Sequence, residues 1–89
     1  MKTKHKYDDL YEVLDKLYNS ENLEHIYFMY NFKEFCIGKV YDILNEVYFV
    51  KLSRIGTPHY VEGSAKDIKK INYRVLRKGL REILQKDKK

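Results

Sequence analysis

Lys39-Val40-Tyr41-Asp42-Ile43-Leu44-Asn45-Glu46-Val47-Tyr48-Phe49-Val50-Lys51-Leu52-Ser53-Arg54 is the stretch on which the fold turns. Val40, Tyr41, Leu44, Val47 and Tyr48 recur at steps of three and four, which fits one face of a helix from Lys39 to Arg54 capped near Gly56. The same residues also fit two strands joined at Leu44-Asn45-Glu46, and β-branched and aromatic side chains dominate the segment, as strands favour. The hairpin is the preferred reading, with the helix open as its alternative.

Outward from this segment the composition of residues 23–62 stays rich in Ile, Val, Phe and Tyr with turn residues between. Strands are expected near 24–30, 34–42 and 46–53, with 58–62 as a fourth, giving a three- or four-stranded antiparallel sheet. Asn31-Phe32-Lys33 and Leu44-Asn45-Glu46 are the expected hairpin turns, and Ile55-Gly56-Thr57-Pro58 a longer connection. Apolar residues alternate on both faces of such a sheet. Each face needs a cover, and two helices on one side would leave the other for a second subunit or a target. A homodimer is therefore expected as one arrangement.

Upstream, Tyr7, Leu10, Tyr11, Leu14, Leu17 and Tyr18 mark an N-terminal amphipathic helix ending near Asn19-Ser20, with Val13 off the stripe. Downstream, Ser64 is expected to cap a long C-terminal helix, with Asp67 completing a capping box. Its stripe is Ile68, Ile71, Val75, Leu76, Leu80, Ile83 and Leu84, and Gly79 within it marks close packing or a bend. The expected class is α+β, in a single domain over 1–89 with frayed tails at 1–6 and 86–89.

The chain has 89 residues, 44% hydrophobic and 15% aromatic, too short for two independent cores and too apolar for disorder. No apolar run reaches the ~18 to 20 residues of a membrane span. The basic start Met1-Lys2-Thr3-Lys4-His5-Lys6 runs into Tyr7-Asp8-Asp9 where a signal peptide would turn apolar. Cys36 is the one cysteine, so no internal disulfide forms. Together these point to a cytoplasmic protein. Phe, Tyr, Met, Ile, Asn and Lys total 41 residues against 10 for Gly, Ala, Arg and Pro, which indicates an AT-rich gene of the kind found in low-GC bacteria, their phages and plasmids, and also in some archaeal viruses and eukaryotes.

Charge is the most informative feature. Lys and Arg number 18 against 13 Asp and Glu, and the excess is uneven: residues 1–6 carry +3, residues 7–24 carry −5, and residues 64–89 carry +7. Lys66, Lys70, Arg74, Arg77, Lys78 and Arg81 form a band beside the expected C-terminal stripe, suited to tracking a phosphate backbone and equally to a merely solvated face. Asp8, Asp9, Glu12 and Asp15 crowd the first helix, where they could imitate phosphates toward a basic protein groove. Nine tyrosines favour binding without choosing a partner.

Catalytic patterns are sparse. His5, His25, His59 and Cys36 share no metal-ligand spacing, and the chain has no P-loop, G-x-S-x-G or G-x-G-x-x-G segment. Gly63-Ser64 with Lys66 could hold a phosphate at a helix start, although capping already uses that end. His59 with Arg54, Tyr60 and a basic helix residue could form a small metal-independent ribonuclease site only if they converge. No metal or cofactor is expected.

The order helix, three strands, helix, with Gly63-Ser64-Ala65-Lys66 and Lys69-Lys70 opening the last helix, resembles a double-stranded RNA-binding domain over most of the chain. The resemblance is of topology. The small-residue run of that family's second helix is replaced by Ile71, Asn72, Tyr73 and Arg74, and Gly56-Thr57-Pro58-His59 follows the third strand rather than preceding the second. It implies duplex contact through Lys66, Lys69 and Lys70. The leading expectation is thus a small, non-enzymatic nucleic-acid-binding protein. The alternative is a phage- or mobile-element-type modulator that presents its Tyr-rich sheet or acidic first helix to a host protein.

Overall fold

The structure is a computed structural model that describes residues 9–21 and 24–88. In chain order it comprises α1 (Leu10–Asn19), β1 (His25–Tyr30), β2 (Lys33–Asp42), β3 (Val47–Arg54), β4 (Tyr60–Ala65), a 3-10 turn (Ile68–Lys70) and α2 (Tyr73–Asp87). The strands form one antiparallel sheet in the order β1-β2-β3-β4. The class is α+β.

Residues 39–54 form a hairpin and not a helix. Eight residue pairs join β2 to β3, from Phe35 opposite Arg54 to Asp42 opposite Val47. The connection is organised by Asp42, whose carboxylate accepts from the Leu44 amide (3.0 Å), the Asn45 amide (3.3 Å) and the Asn45 side-chain amide (2.7 Å). Those donors, the Asn45 side chain foremost, hold the Asp42 carboxyl below its ordinary range. An aspartate that gathers three local donors turns the chain at the point where a helix would need it to continue.

The register places Ile26, Phe28, Phe35, Ile37, Val50, Leu52 and Val61 on one sheet face. Leu10, Val13, Leu14 and Leu17 of α1 and Leu76, Leu80 and Ile83 of α2 join these residues in one core, so both helices cover the same side. Val13, expected off the stripe, is only 2% exposed, while Tyr11, expected on it, is 65% exposed. The buried face of α1 is centred on its aliphatic residues because a phenol keeps its hydroxyl near water. Gly79 is the site of close packing: a Cβ there would stand 3.1 Å from Val61 Cγ2 and 3.2 Å from Leu52 Cδ2.

The C-terminal helix begins later than its sequence suggests. Gly63, Ser64 and Ala65 pair with Val50, Phe49 and Tyr48, so Ser64 is a strand residue of β4 and caps nothing. Asp67 instead caps the 3-10 turn, accepting from the Lys69 amide. Asn72 is the N-cap of α2 and accepts from the Val75 amide at 3.1 Å. The ladder with β3 outweighs the local capping signal, because a helix from Ser64 would orphan that edge of β3. Ile68 and Ile71 are buried ahead of α2 rather than within it, and Val75, also assigned to the stripe, is 44% exposed. At its other end α2 continues through Lys86 and Asp87. Tyr7, Asp8, the tail 1–6 and Lys89 lie outside the described residues.

Lys39 points into the helix-covered side, where its ammonium donates to the Leu17 and Tyr18 carbonyls at the end of α1. A cation there satisfies carbonyls with no helical partner and sits at the negative end of the helix dipole. Burial nevertheless pulls its pKa below the ordinary 10.5.

Two predictions follow from these caps. Asn72→Ala is expected to lower unfolding free energy by about 1 kcal/mol, and Ser64→Ala to change it by less than about 0.5 kcal/mol, in urea denaturation. For Lys39, the unfolded chain holds its proton up to 10.5 and the folded chain releases it earlier, so the cost of the buried charge is present at neutral pH and relieved as pH rises toward 10.5. The stability of the wild type relative to Lys39→Met is expected to improve over that interval, the difference cancelling titrations common to both proteins.

Candidate nucleic-acid interface

α2 turns Leu76, Leu80 and Ile83 inward, which fixes what faces out. Arg74, Arg77, Lys78 and Arg81 are spaced by three, one and three residues and all four are exposed, so they share one outer face. From Arg74 to Arg81 the helix rises about 10 Å, or three steps of a nucleic-acid strand. None of the four makes an ion pair with a described residue. Glu82 is the one acid between Arg74 and Arg81's following turn, so the face stays strongly positive.

Lys66 and Lys70, expected on the same helix, lie before it. Lys66 follows β4 and Lys70 closes the 3-10 turn, both exposed, with exposed Lys69 beside them. The basic residues therefore form two groups: a connector group of Lys66, Lys69 and Lys70, and the α2 group of four. At the start of α2 the Tyr73 ring stacks on Tyr11 of α1, centroids 4.5 Å apart and planes within 5°. The Arg77 guanidinium stands 5.9 Å from the Tyr73 ring. This stack joins the two helices and commits the aromatic ring nearest the arginines. Sequence reading missed the pairing, since residues 11 and 73 carry no local signal for one another.

The acidic group lies on the neighbouring helix. Asp9 is the N-cap of α1 and accepts from the Tyr11 amide at 3.0 Å. Glu12 and Asp15 are exposed on the helix, and Asp15 accepts from the Asn19 side chain. Asp8, the fourth member of the expected group, lies outside the described residues. The outer surface of the helix layer is thus acidic along α1 and basic along α2.

Arg54 and His59 do converge, but on Asp87, which pairs with the Arg54 guanidinium and lies 2.8 Å from His59 Nδ1. Lys86 reaches the Tyr60 carbonyl at 3.4 Å. These contacts pin the last turn of α2 to the end of β3 and the loop after it. The Thr57 hydroxyl beside them donates to the Arg54 carbonyl and accepts from the His59 amide. The arrangement is a clamp holding α2, and the basic α2 group takes no part in it.

The sheet face opposite the helices carries His25, Tyr27, Cys36, Gly38, Val40, Phe49, Lys51 and Tyr60. Among the described residues no cluster of three His, Cys, Asp or Glu could hold a metal ion, and no helix is long and apolar enough to cross a membrane. Burial pushes the Cys36 thiol above its ordinary value, which keeps it a poor nucleophile. No family model, curated protein or solved structure matches this chain.

Proposed function

We propose that the chain is a non-enzymatic nucleic-acid-binding protein that contacts phosphates through Arg74, Arg77, Lys78 and Arg81. The observation that supports this reading is the exposed α2 face, on which four cations stand together without a carboxylate partner among the described residues. Guanidinium groups at this spacing suit successive phosphate oxygens, each neutralised phosphate releasing counterions. The nearest ring, Tyr73, is already stacked on Tyr11, so backbone contact is favoured over base stacking and a duplex over a single strand. The connector lysines Lys66, Lys69 and Lys70 extend the positive field toward the start of α2.

A second reading is supported by the uncovered sheet face, where Tyr27, Phe49 and Tyr60 are each about half exposed. A protein that binds a host protein could use that face, or could present Asp9, Glu12 and Asp15 to a basic groove. Both readings place the protein inside a cell.

The test is a fluorescence-anisotropy titration of labelled duplexes over a range of salt concentrations. Replacing Arg74, Arg77, Lys78 and Arg81 together with Gln is expected to reduce the steepness of log K against log salt by about 3 to 4. The circular dichroism spectrum should be unchanged, because all four side chains are exposed. An unaltered slope would remove α2 from the interface.

A further inference from the structure

β4 is an edge of the sheet, with β3 on one side and no strand on the other. The Arg54 amide donates to the carbonyl of His59 opposite it at 3.1 Å, which fixes the alternation of this ladder. Val61, Gly63 and Ala65 therefore turn their amides and carbonyls toward β3, and Tyr60, Glu62 and Ser64 turn theirs outward. Natural edges are commonly blunted by lysine, proline or a bulge. β4 has none of these: it runs in unbroken register from Tyr60 to Ala65, with Glu62, Gly63 and Ser64 exposed in succession.

α2 runs beside this edge. A Cβ at Gly79 would touch both Val61 and Leu52, so the helix at that point lies above the gap between β4 and β3. Between its flank and the sheet opens an apolar cleft of about 230 Å³, lined by Val50, Leu52, Val61, Ile71, Val75 and Leu76 and bordered by Lys78 and Glu82. Gly63 faces the same side, and a Cβ there would meet nothing within 4 Å, so the cleft is open toward the edge. Neither Lys78 nor Glu82 makes an ion pair with a described residue. A lysine four residues before a glutamate is the less favourable order for pairing along one helix.

We propose that two copies of this chain associate through β4, edge to edge and antiparallel about a two-fold axis, which joins their sheets into one and sets their α2 helices side by side. With Val61 opposite Val61 of the second copy, the outward groups of Tyr60 and Glu62 exchange main-chain hydrogen bonds with those of Glu62 and Tyr60 in that copy. The two valines meet on the helix-covered side as a non-bonded pair, about 4.5 Å between Cα atoms. Helix spacing agrees with this arrangement. An α2 half a strand spacing inside β4 stands two spacings from its mate, about 9.6 Å at ~4.8 Å each, which falls within the roughly 8–10 Å of packed helices. Because the helices are antiparallel about the axis, Lys78 of each faces Glu82 of the other, and both groups gain the partner they lack in a single chain. Val75 and the open side of the cleft are covered by the same contact. Lys78 stands where the outer face of α2 meets this flank, while Arg74, Arg77 and Arg81 remain on the outer face, so nothing in the association rests on nucleic-acid binding or blocks it.

Sedimentation velocity over a wide concentration range tests it. The wild type is expected to rise from the 10.8 kDa of one chain toward twice that mass. Glu62→Pro removes an amide that points away from β3, so this variant should remain a single chain with an unchanged circular dichroism spectrum. Lys78→Glu and Glu82→Lys should each weaken association by about tenfold, and the two together should restore it, a readout that does not depend on how well the proline variant folds. Phe49→Ser, on the uncovered sheet face, should associate as the wild type does. Wild-type protein that stays at one-chain mass up to about 1 mM overturns the proposal. So does a charge exchange without restoration, or association that survives Glu62→Pro and is lost in Phe49→Ser.

Discussion

Both helices of this chain press on the same side of one four-stranded sheet, and the rest of the molecule is arranged by that asymmetry. Phe28, Phe35, Leu17, Leu80 and Ile83 are withdrawn from solvent between the layers, and each such side chain contributes about 1.5–3 kcal/mol. α1 reaches across that face to α2 and the connector before it: Tyr11 stacks on Tyr73 of α2, and the Tyr18 hydroxyl donates to the carbonyl of Ile71, just ahead of α2, at 2.8 Å. With 10 and 15 residues, the two helices are used up in covering one face. The other face, with its half-exposed aromatic rings, is a direct consequence.

The same packing decides where charge goes. Turning the aliphatic stripes inward sends Glu12 and Asp15 outward on α1, and Arg74, Arg77, Lys78 and Arg81 outward on α2. The helix layer is then divided into an acidic and a basic half, which gives its outer surface an electrostatic polarity. Lys39 is the exception that clarifies the rule. It is the one buried charged residue among those described, and it is tolerated because the carbonyls ending α1 receive its ammonium.

Much of this architecture is legible in the sequence, and the parts that are not share a physical cause. The strand assignments and the end of α1 follow from alternation and turn chemistry, which are local. Asp42 with Asn45 decided the hairpin, although side-chain periodicity alone fitted a helix equally well. The start of α2 was misread because Ser64 and Asp67 mimic a capping box, whereas pairing of Ser64 with Phe49 is a long-range matter. The later start takes Lys66 and Lys70 off the helix while leaving Arg74, Arg77, Lys78 and Arg81 on it. Likewise, the sequence leaves open whether His59 and Arg54 converge at all, and the partner they share, Asp87 at the end of α2, is not one it points to. Pairings between distant elements, such as Tyr11 with Tyr73, leave no trace in a single sequence.

The central claim is that the outer face of α2 meets phosphate while the opposite sheet face does not. Backbone amide chemical shifts recorded during titration with a short duplex test it most directly. The account predicts that shifts concentrate at Arg74, Arg77, Lys78 and Arg81 and spare Tyr27, Phe49 and Tyr60. Shifts concentrated on those three sheet residues, with α2 silent, would contradict it.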